Sequence, residues 1–244
     1  MRPWGGPALR RGVLALIGSA VWLFPLAGVT QQPATAPPAP SACQQRLTPD
    51  VALIHPLPSI GGPGACGADD VVRLDAVVLK DGERIALAPA ATLRCPMAEA
   101  VARWVREDVA PAVAAALGSP VRTIVTGTSY ECRGRDRDPG AKVSEHGHAN
   151  ALDVSGFSLA NGTMVRLTDE TASKEFRELM RQTACANFTT VLGPGSDSYH
   201  ADHVHIDLLE RPSGYRLCQW DVLTVPDAPS APPPARPRTS DGAK

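Results

Sequence analysis

The sequence predicts an α+β domain in which a small central antiparallel sheet is flanked by helices, and three observations predict it. Alternating apolar runs flank the turn dipeptides Asp81-Gly82 and Asn161-Gly162, which is the pattern of β-hairpins. Two other stretches, near 95–118 and 169–188, repeat their apolar residues at helical spacing. No internal repeat is visible, so strands and helices mix within a single domain.

Taken in order, residues 43–70 include "PLPSIGGPGACG", which holds too much Gly and Pro for regular structure. A strand pair follows at 71–89 around the Asp81-Gly82 turn. Met97, Val101, Trp104, Val105 and Val109 then mark one face of a helix, with Pro96 suited to its first turn and Gly118 to its end. Pro111 has no amide hydrogen to donate and kinks or divides that helix. "VRTIVTGTSYE" is a buried strand, and "CRGRDRDPGAKV" a polar loop. "NALDVSGFSLANGTMVRL" alternates around Asn161-Gly162 as a hairpin. "DETASKEFRELMRQTACANF" is an amphipathic helix with Thr168 or Asp169 as its cap, and "TTVLGPG" and "HVHIDLLE" are the last strands.

The chain has 244 residues, 43% of them hydrophobic, which is enough for a normal core. Its ends have a different composition. Arg2, Arg10 and Arg11 precede the apolar run "GVLALIGSAVWLFPLAG", so residues 1–30 are expected to be a secretory signal peptide. That run is at the short limit for spanning a bilayer, and a membrane would be engaged only if the segment stayed uncleaved. Pro25 and the small residues Ala27 and Gly28 favour cleavage, and export to a periplasmic or extracellular location. Residues 31–42 are a Pro/Ala-rich linker and 223–244 a Pro-rich tail, which leaves 43–222 to fold.

All six cysteines lie in that window, and an even number in an exported chain implies three disulfides. Fifteen pairings are possible; the expected one is Cys43 with Cys66, Cys95 with Cys132 and Cys185 with Cys218, with a staple near each terminus. No CxxC or CxxH spacing marks a zinc finger. A formal net charge of -1, without a concentrated basic face, excludes nucleic acid as the main partner.

Two short stretches carry the chemistry: "SEHGHANALD" at 144–153 and "HADHVHIDL" at 200–208. Catalytic zinc takes three protein ligands from His, Asp or Glu and keeps a fourth position for water. His146 stands at the mouth of the second hairpin, Asp153 on its first strand and His205 on the last strand. If those strands are neighbours, the three side chains meet at one point; without a metal, His146 and Asp153 would be a buried hydrogen bond supporting the hairpin. His203 is expected to face away from His205, which leaves it and His200 for another task. Asp207 shares a face with His205 and either orients a ligand or forms a surface ion pair. His148 reads as an exposed turn residue, His55 as structural, Glu145 as pointing away from the site and Ser144 as a supporting hydroxyl.

Ser144, His146, Ala151 and Asp153 fall on the positions of an S-x-H-x-x-G-x-A-x-D motif, so "SEHGHANALD" resembles the zinc peptidases. These include bacterial D-alanyl-D-alanine carboxypeptidases, vancomycin-resistance D,D-dipeptidases and lysostaphin-like cell-wall hydrolases. The spacing in "HADHVH" is similar to that of the penicillin-insensitive murein endopeptidases. The order "YECR", "SEH", "ALDVSGF", "LGPG", "HADHVHIDL" and "YRLC" resembles the bacterial extensin-like C-terminal domain family over most of 43–220.

The resemblance implies a D-alanyl-D-alanine carboxypeptidase-like fold with zinc held by His146, Asp153 and His205. It implies His203 as general base or stabiliser of the metal-bound water, and His200 as an auxiliary group near the substrate. Arg133 would hold substrate or the developing oxyanion, unless it is simply a solvated arginine of "CRGRDR". The implied protein is an exported zinc-dependent hydrolase acting on an amide bond in peptidoglycan peptide stems. The alternative is a catalytically inactive, zinc-containing module that binds the cell envelope. Two letters depart from the pattern. Ala149 stands at the motif's glycine, where a positive φ would strain alanine, and Asp202 stands where the carboxypeptidase branch has glutamate, which favours a histidine-based mechanism.

Overall fold

Residues 39–138, 140–169 and 171–222 are described by the computed structural model, and their backbone hydrogen bonds converge on one mixed sheet. The segment expected to be a signal peptide, the linker up to residue 38 and the Pro-rich tail lie outside the described residues. The elements run α1 (Ala42–Arg46), β1 (Ala52–Pro56), β2 (Ile60–Gly61), β3 (Gly67–Ala68), β4 (Val71–Val78), β5 (Arg84–Arg94) and α2 (Cys95–Trp104). A π-helical turn (Val105–Val109) leads into α3 (Ala110–Leu117), β6 (Val121–Thr126), β7 (Ala151–Leu159), β8 (Met164–Arg166) and α4 (Lys174–Asn187). β9 (Thr190–Leu192), β10 (Val204–Asp207) and β11 (Leu217–Gln219) complete the order. No helix among the described residues is long and apolar enough to cross a membrane.

The architecture is α+β, but the sheet is larger than expected and is not purely antiparallel. Nine strands join it in the order β1-β4-β5-β6-β7-β10-β9-β11, with β8 also paired to β7, and β2 and β3 form a separate ribbon. β5 with β6 and β9 with β11 are parallel, while the other pairings are antiparallel. The first parallel pair has a simple cause: α2 and α3 carry the chain back to the starting edge, and such a crossover delivers the next strand in the same direction.

β7 has an unusual place in the sheet. One edge pairs with β6, while the other is shared: residues 151–154 pair with β10 and residues 156–158 with β8. Along β7 and β10 the side chains alternate. Leu152, Val154, Val204 and Ile206 join the hydrophobic core, so Asp153, His205 and Asp207 project from the opposite face.

Helices close the core. Met97, Ala98, Val101 and Val105 are buried along α2 and its π turn, and Phe176, Met180 and Ala184 along α4. Burying side chains such as Phe176 or Met180 contributes about 1.5–3 kcal/mol each. Trp104 meets Phe188 edge to face at 5.5 Å, and its indole donates to Thr183 Oγ1 at 3.0 Å, which joins α2 to α4. The predicted break at Pro111 takes the form of the π turn just before it, where the backbone loosens to accommodate a residue that cannot donate. Gly118 ends α3 at φ 66°.

Other differences have local causes. The 43–70 segment is not irregular throughout, because it contains α1, β1, β2 and β3; β1 alone adds an edge strand to β4. The cap of α4 is Ser173, whose Oγ accepts from Phe176 N at 3.2 Å. Asp169 instead folds an Asx turn onto Thr171 N at 2.8 Å, so the helix starts later than expected. β11 was not expected at all.

Three disulfides form, as the cysteine count requires, but two pairings differ from the expected ones. Cys43 bonds Cys95, Cys66 bonds Cys132, and Cys185 bonds Cys218 as expected. α1 packs on α2, and this puts Cys43 beside the residue that opens α2. Cys66 is left to meet Cys132, which lies in the segment that follows β6. Both ends of the folded region are stapled.

Candidate metal centre

His146, Asp153 and His205 come together on the polar face of the sheet. Antiparallel pairing puts His205 directly opposite Asp153. His146 arrives from a 3-10 turn, Glu145–His148, whose cap is Ser144 accepting from His146 N at 3.4 Å. The segment after β6 aligns both sides of this arrangement: Gly127 N donates to Asp153 O at 2.8 Å and Asp153 N to Thr128 O at 2.9 Å. Ser129 O accepts from His146 Nδ1 at 2.9 Å.

The three inward atoms form a nearly equilateral triangle. His146 Nε2 lies 3.1 Å from His205 Nδ1, and Asp153 Oδ1 lies 3.2 Å from each nitrogen. A tetrahedral zinc with bonds of 2.0–2.1 Å needs ligand separations of about 3.3 Å. The outward ring nitrogens are already committed, His146 Nδ1 to Ser129 O and His205 Nε2 to Asp207 Oδ2 at 3.1 Å. This hydrogen-bond network turns three acceptors towards one another, and only a proton or a metal cation can relieve their repulsion. The residues present therefore fit a small divalent ion with nitrogen and oxygen ligands.

The electrostatics agree with a cation-seeking site. Burial works against the charged form of His205, yet hydrogen bonds and charge from Asp153 and Asp207 raise its pKa to about 9. Burial likewise opposes ionisation of Asp153, but hydrogen bonds from His146 and His205 hold its carboxyl far below the usual carboxylate range. Asp207 is also held down by His205, against its burial.

Other residues singled out in the sequence take definite places. The expectation that His203 faces away from His205 is corrected: two residues are one full strand repeat, so both share a face. His203 Nε2 lies 3.6 Å from Asp153 Oδ1, and its Nδ1 bonds Asp202 Oδ1 at 2.9 Å. His200 Nδ1 is held by Asp197 at 2.7 Å, with its ring 5.3 Å from that of His203 and 5.6 Å from that of His205. Burial, the largest influence, lowers the His200 pKa in spite of Asp197. Arg133 is half-buried and aligned by Glu131, which accepts from its Nε at 2.7 Å. Glu145 does face away from the triangle, bonded to Asn150 Nδ2 at 2.6 Å. His148 is half-buried in its turn, and His55 pairs with Asp75 on the surface.

Ala149 adopts φ 49° at full burial, so the left-handed conformation that the motif's glycine would permit is here carried by alanine. Gly147 is needed for a different reason: a Cβ there would lie 2.6 Å from Val143 Cγ1 and 3.2 Å from Cys66 Sγ. The Cys66–Cys132 bridge thus packs directly behind the turn that presents His146. A second cluster, Cys43, Asp70 and Cys95, has ligand-like spacing, but its sulfurs are spent in a disulfide.

Two cavities open onto the triangle from different sides. One, of about 220 Å³, is lined by His146, His205, Asp207 and Arg211; the other, of about 110 Å³, by Asp153, His203, Tyr199 and Thr128. Arg133, Asp136 and His200 line both. Ser129, Asp197, Tyr199 and Arg211 were not singled out in the sequence. Ser129 acts through a carbonyl, which no residue type advertises; Asp197 stands three residues before His200, a spacing that could have been noticed.

The sequence profile of the family described as Extensin-like protein C-terminus matches residues 41–219. No curated protein and no solved structure matches the chain.

Proposed function

Since the chain belongs to the extensin-like C-terminal family, a grouping by sequence relation, its chemistry rests on the site, and we propose an exported zinc-dependent hydrolase that cleaves an amide bond in peptidoglycan peptide stems. The observation that carries this reading is the buried triangle of His146 Nε2, Asp153 Oδ1 and His205 Nδ1, with open space on two sides. Zinc bound there supplies a Lewis acid and a water whose pKa falls towards about 7. The motif resemblance to zinc peptidases supports the same choice, and three disulfides suit an oxidising compartment outside the cytoplasm.

The chain's own residues divide the work. His203 donates through Nδ1 to Asp202, which leaves Nε2 as the basic nitrogen beside Asp153, where it takes a proton from the attacking water and returns it to the leaving amine. Arg133 Nη2 makes no hydrogen bond among the described residues and donates to the oxygen of the tetrahedral intermediate, while Glu131 fixes the guanidinium. His200, steadied by Asp197, narrows the cleft and orients the peptide against His203.

The competing reading is a metal-stabilised module that grips the cell envelope without turnover. Its support is Asp202, which occupies the glutamate position of the carboxypeptidase branch yet is exposed and engaged with His203. Metal content of the purified chain, together with release of soluble peptide from isolated cell walls before and after chelation, separates the two. Stoichiometric zinc and chelator-sensitive, zinc-restored release are expected. Stoichiometric zinc without release would leave only the binding module, and absence of bound metal would remove both.

A further inference from the structure

The 220 Å³ arm of the cleft ends on a guanidinium that none of the chemistry above uses. Arg211 follows β10 and is half-buried. Its Nη1 donates to Thr189 O at 3.1 Å and its Nη2 to Thr190 Oγ1 at 2.9 Å, so the start of β9 and the residue before it clamp it. The ring of Tyr215, an exposed side chain, lies 6.0 Å from Arg211 Cζ. No carboxylate pairs with Arg211 among the described residues. Arg135 lines the same cavity, is exposed and likewise has no ion pair among them.

By formal count the acids lining this arm, Asp136, Glu145, Asp197 and Asp207, outnumber its three arginines. Three of those carboxylates already accept hydrogen bonds from neighbouring groups of the chain. Glu145 holds Asn150, Asp197 holds His200, and Asp207 holds both His205 Nε2 and Leu209 N. Arg133 is committed too, to Glu131. Arg211 and Arg135 are thus the guanidiniums of this arm with no ion pair among the described residues, and of its two exposed carboxylates, Asp136 and Asp197, the second is already turned to His200.

Resting on the hydrolase reading, we propose that this arm is a subsite for a carboxylate of the substrate peptide, with Arg211 as its anchor and Arg135 as a second donor. A half-buried guanidinium with its own position fixed forms the strongest class of hydrogen bond with a planar carboxylate and loses little freedom in doing so. A cavity of this volume holds roughly one amino-acid residue, since ligand sites for larger molecules begin near 300 Å³. The recognised group therefore sits on the residue adjoining the scissile bond, on the His146/His205 side of the metal. The opposite arm, lined by Asp153, His203 and Tyr199, receives the other side of the peptide.

The test uses the zinc-loaded chain and a short peptide in two forms, with a free carboxylate and as the corresponding amide, bound in a calorimeter. Wild type is expected to prefer the acid by about tenfold or more, and Arg211→Gln and Arg135→Gln to reduce that preference, with Arg211→Lys intermediate. Equal binding of acid and amide by wild type, or no binding of either, would overturn the subsite. So would full preference in Arg211→Gln. The acid/amide comparison on wild type needs no variant, and the exposed Arg135 side chain makes no hydrogen bond or ion pair among the described residues. Hydrolysis is read separately: cutting without acid preference would sink the subsite alone, and preference without cutting would sink the hydrolase alone.

Discussion

His205 stands directly across the sheet from Asp153, its Nδ1 3.2 Å from the Asp153 carboxylate, while its other nitrogen is held by Asp207 two residues further along the same strand. One imidazole thus has a carboxylate on each side. Asp207 makes the Nε2 proton unavailable for exchange, which fixes the tautomer with Nδ1 facing His146. Asp207→Asn is expected to weaken zinc binding about 10–100-fold while leaving the fold intact. Competition with a chromophoric chelator measures this, and unchanged affinity would show that Asp207 supports the strand without tuning the metal.

His203 and His205 share a strand face, yet the proposed function gives them different tasks. His205→Ala is expected to lose stoichiometric zinc. His203→Ala should keep the metal and lose hydrolysis by about 10²–10⁴-fold, the range typical of a removed general base. Metal analysis and peptide-release rates on the two variants decide it, and zinc loss from His203→Ala would exchange their roles.

Proton and metal compete for His205. Its pKa in the metal-free protein is raised from 6.5 to about 9, so the stability it contributes is complete below about 6.5 and is lost as pH rises through 9. Zinc has to expel that proton, and its apparent affinity is expected to rise about tenfold per pH unit between pH 6 and 8. Metal-free melting temperature should fall over the same interval while the gap to the zinc-loaded form widens. A pH-independent affinity would contradict the assignment.

Gly147→Ala puts a methyl against Val143 Cγ1 and Cys66 Sγ, where 2.6 and 3.2 Å leave no room. The 3-10 turn has to shift, taking His146 with it. Lower zinc affinity is expected, along with destabilisation of about 1–3 kcal/mol typical of overpacking. An unchanged affinity would mean that the turn and the metal are uncoupled.

Arg177 tests the fold away from the site. It is buried at 6% exposure and donates to Asp169 O, Ala172 O and Val222 O at 2.7, 2.8 and 2.9 Å. Arg177→Met leaves three carbonyls without that donor and should cost about 2–4 kcal/mol in urea unfolding. A loss below about 0.5 kcal/mol would show that water replaces the guanidinium.

The legible parts of the chain were those with strong local signals. The hairpin at Asn161-Gly162, the break before Pro111 and the end of the helix at Gly118 all follow from backbone chemistry that acts within a few residues. The convergence of His146, Asp153 and His205 was legible because the strands of Asp153 and His205 read clearly and His146 stands in the short turn just before the first of them. Features set by distant contacts were not legible. β1 becomes a strand only because β4 offers an edge, and Cys43 finds Cys95 only because α1 packs on α2. Arg211 belongs to a run with no motif, and its position depends on Thr189 and Thr190.

The disulfides also define where the chain is not covalently tied. Cys43–Cys95 and Cys66–Cys132 overlap into one knot, Cys185–Cys218 makes a second, and residues 133–184 lie inside neither loop. His146 and Asp153 belong to that untied stretch, and His205 to the second knot. An ion gripped by all three spans 59 residues of chain, comparable with the sulfur bridges at 33, 52 and 66. Such an ion would be a staple that can be withdrawn without chemistry on the protein, so chelation of the zinc-loaded chain is expected to loosen the central segment from its C-terminal neighbour while both sulfur knots stay closed.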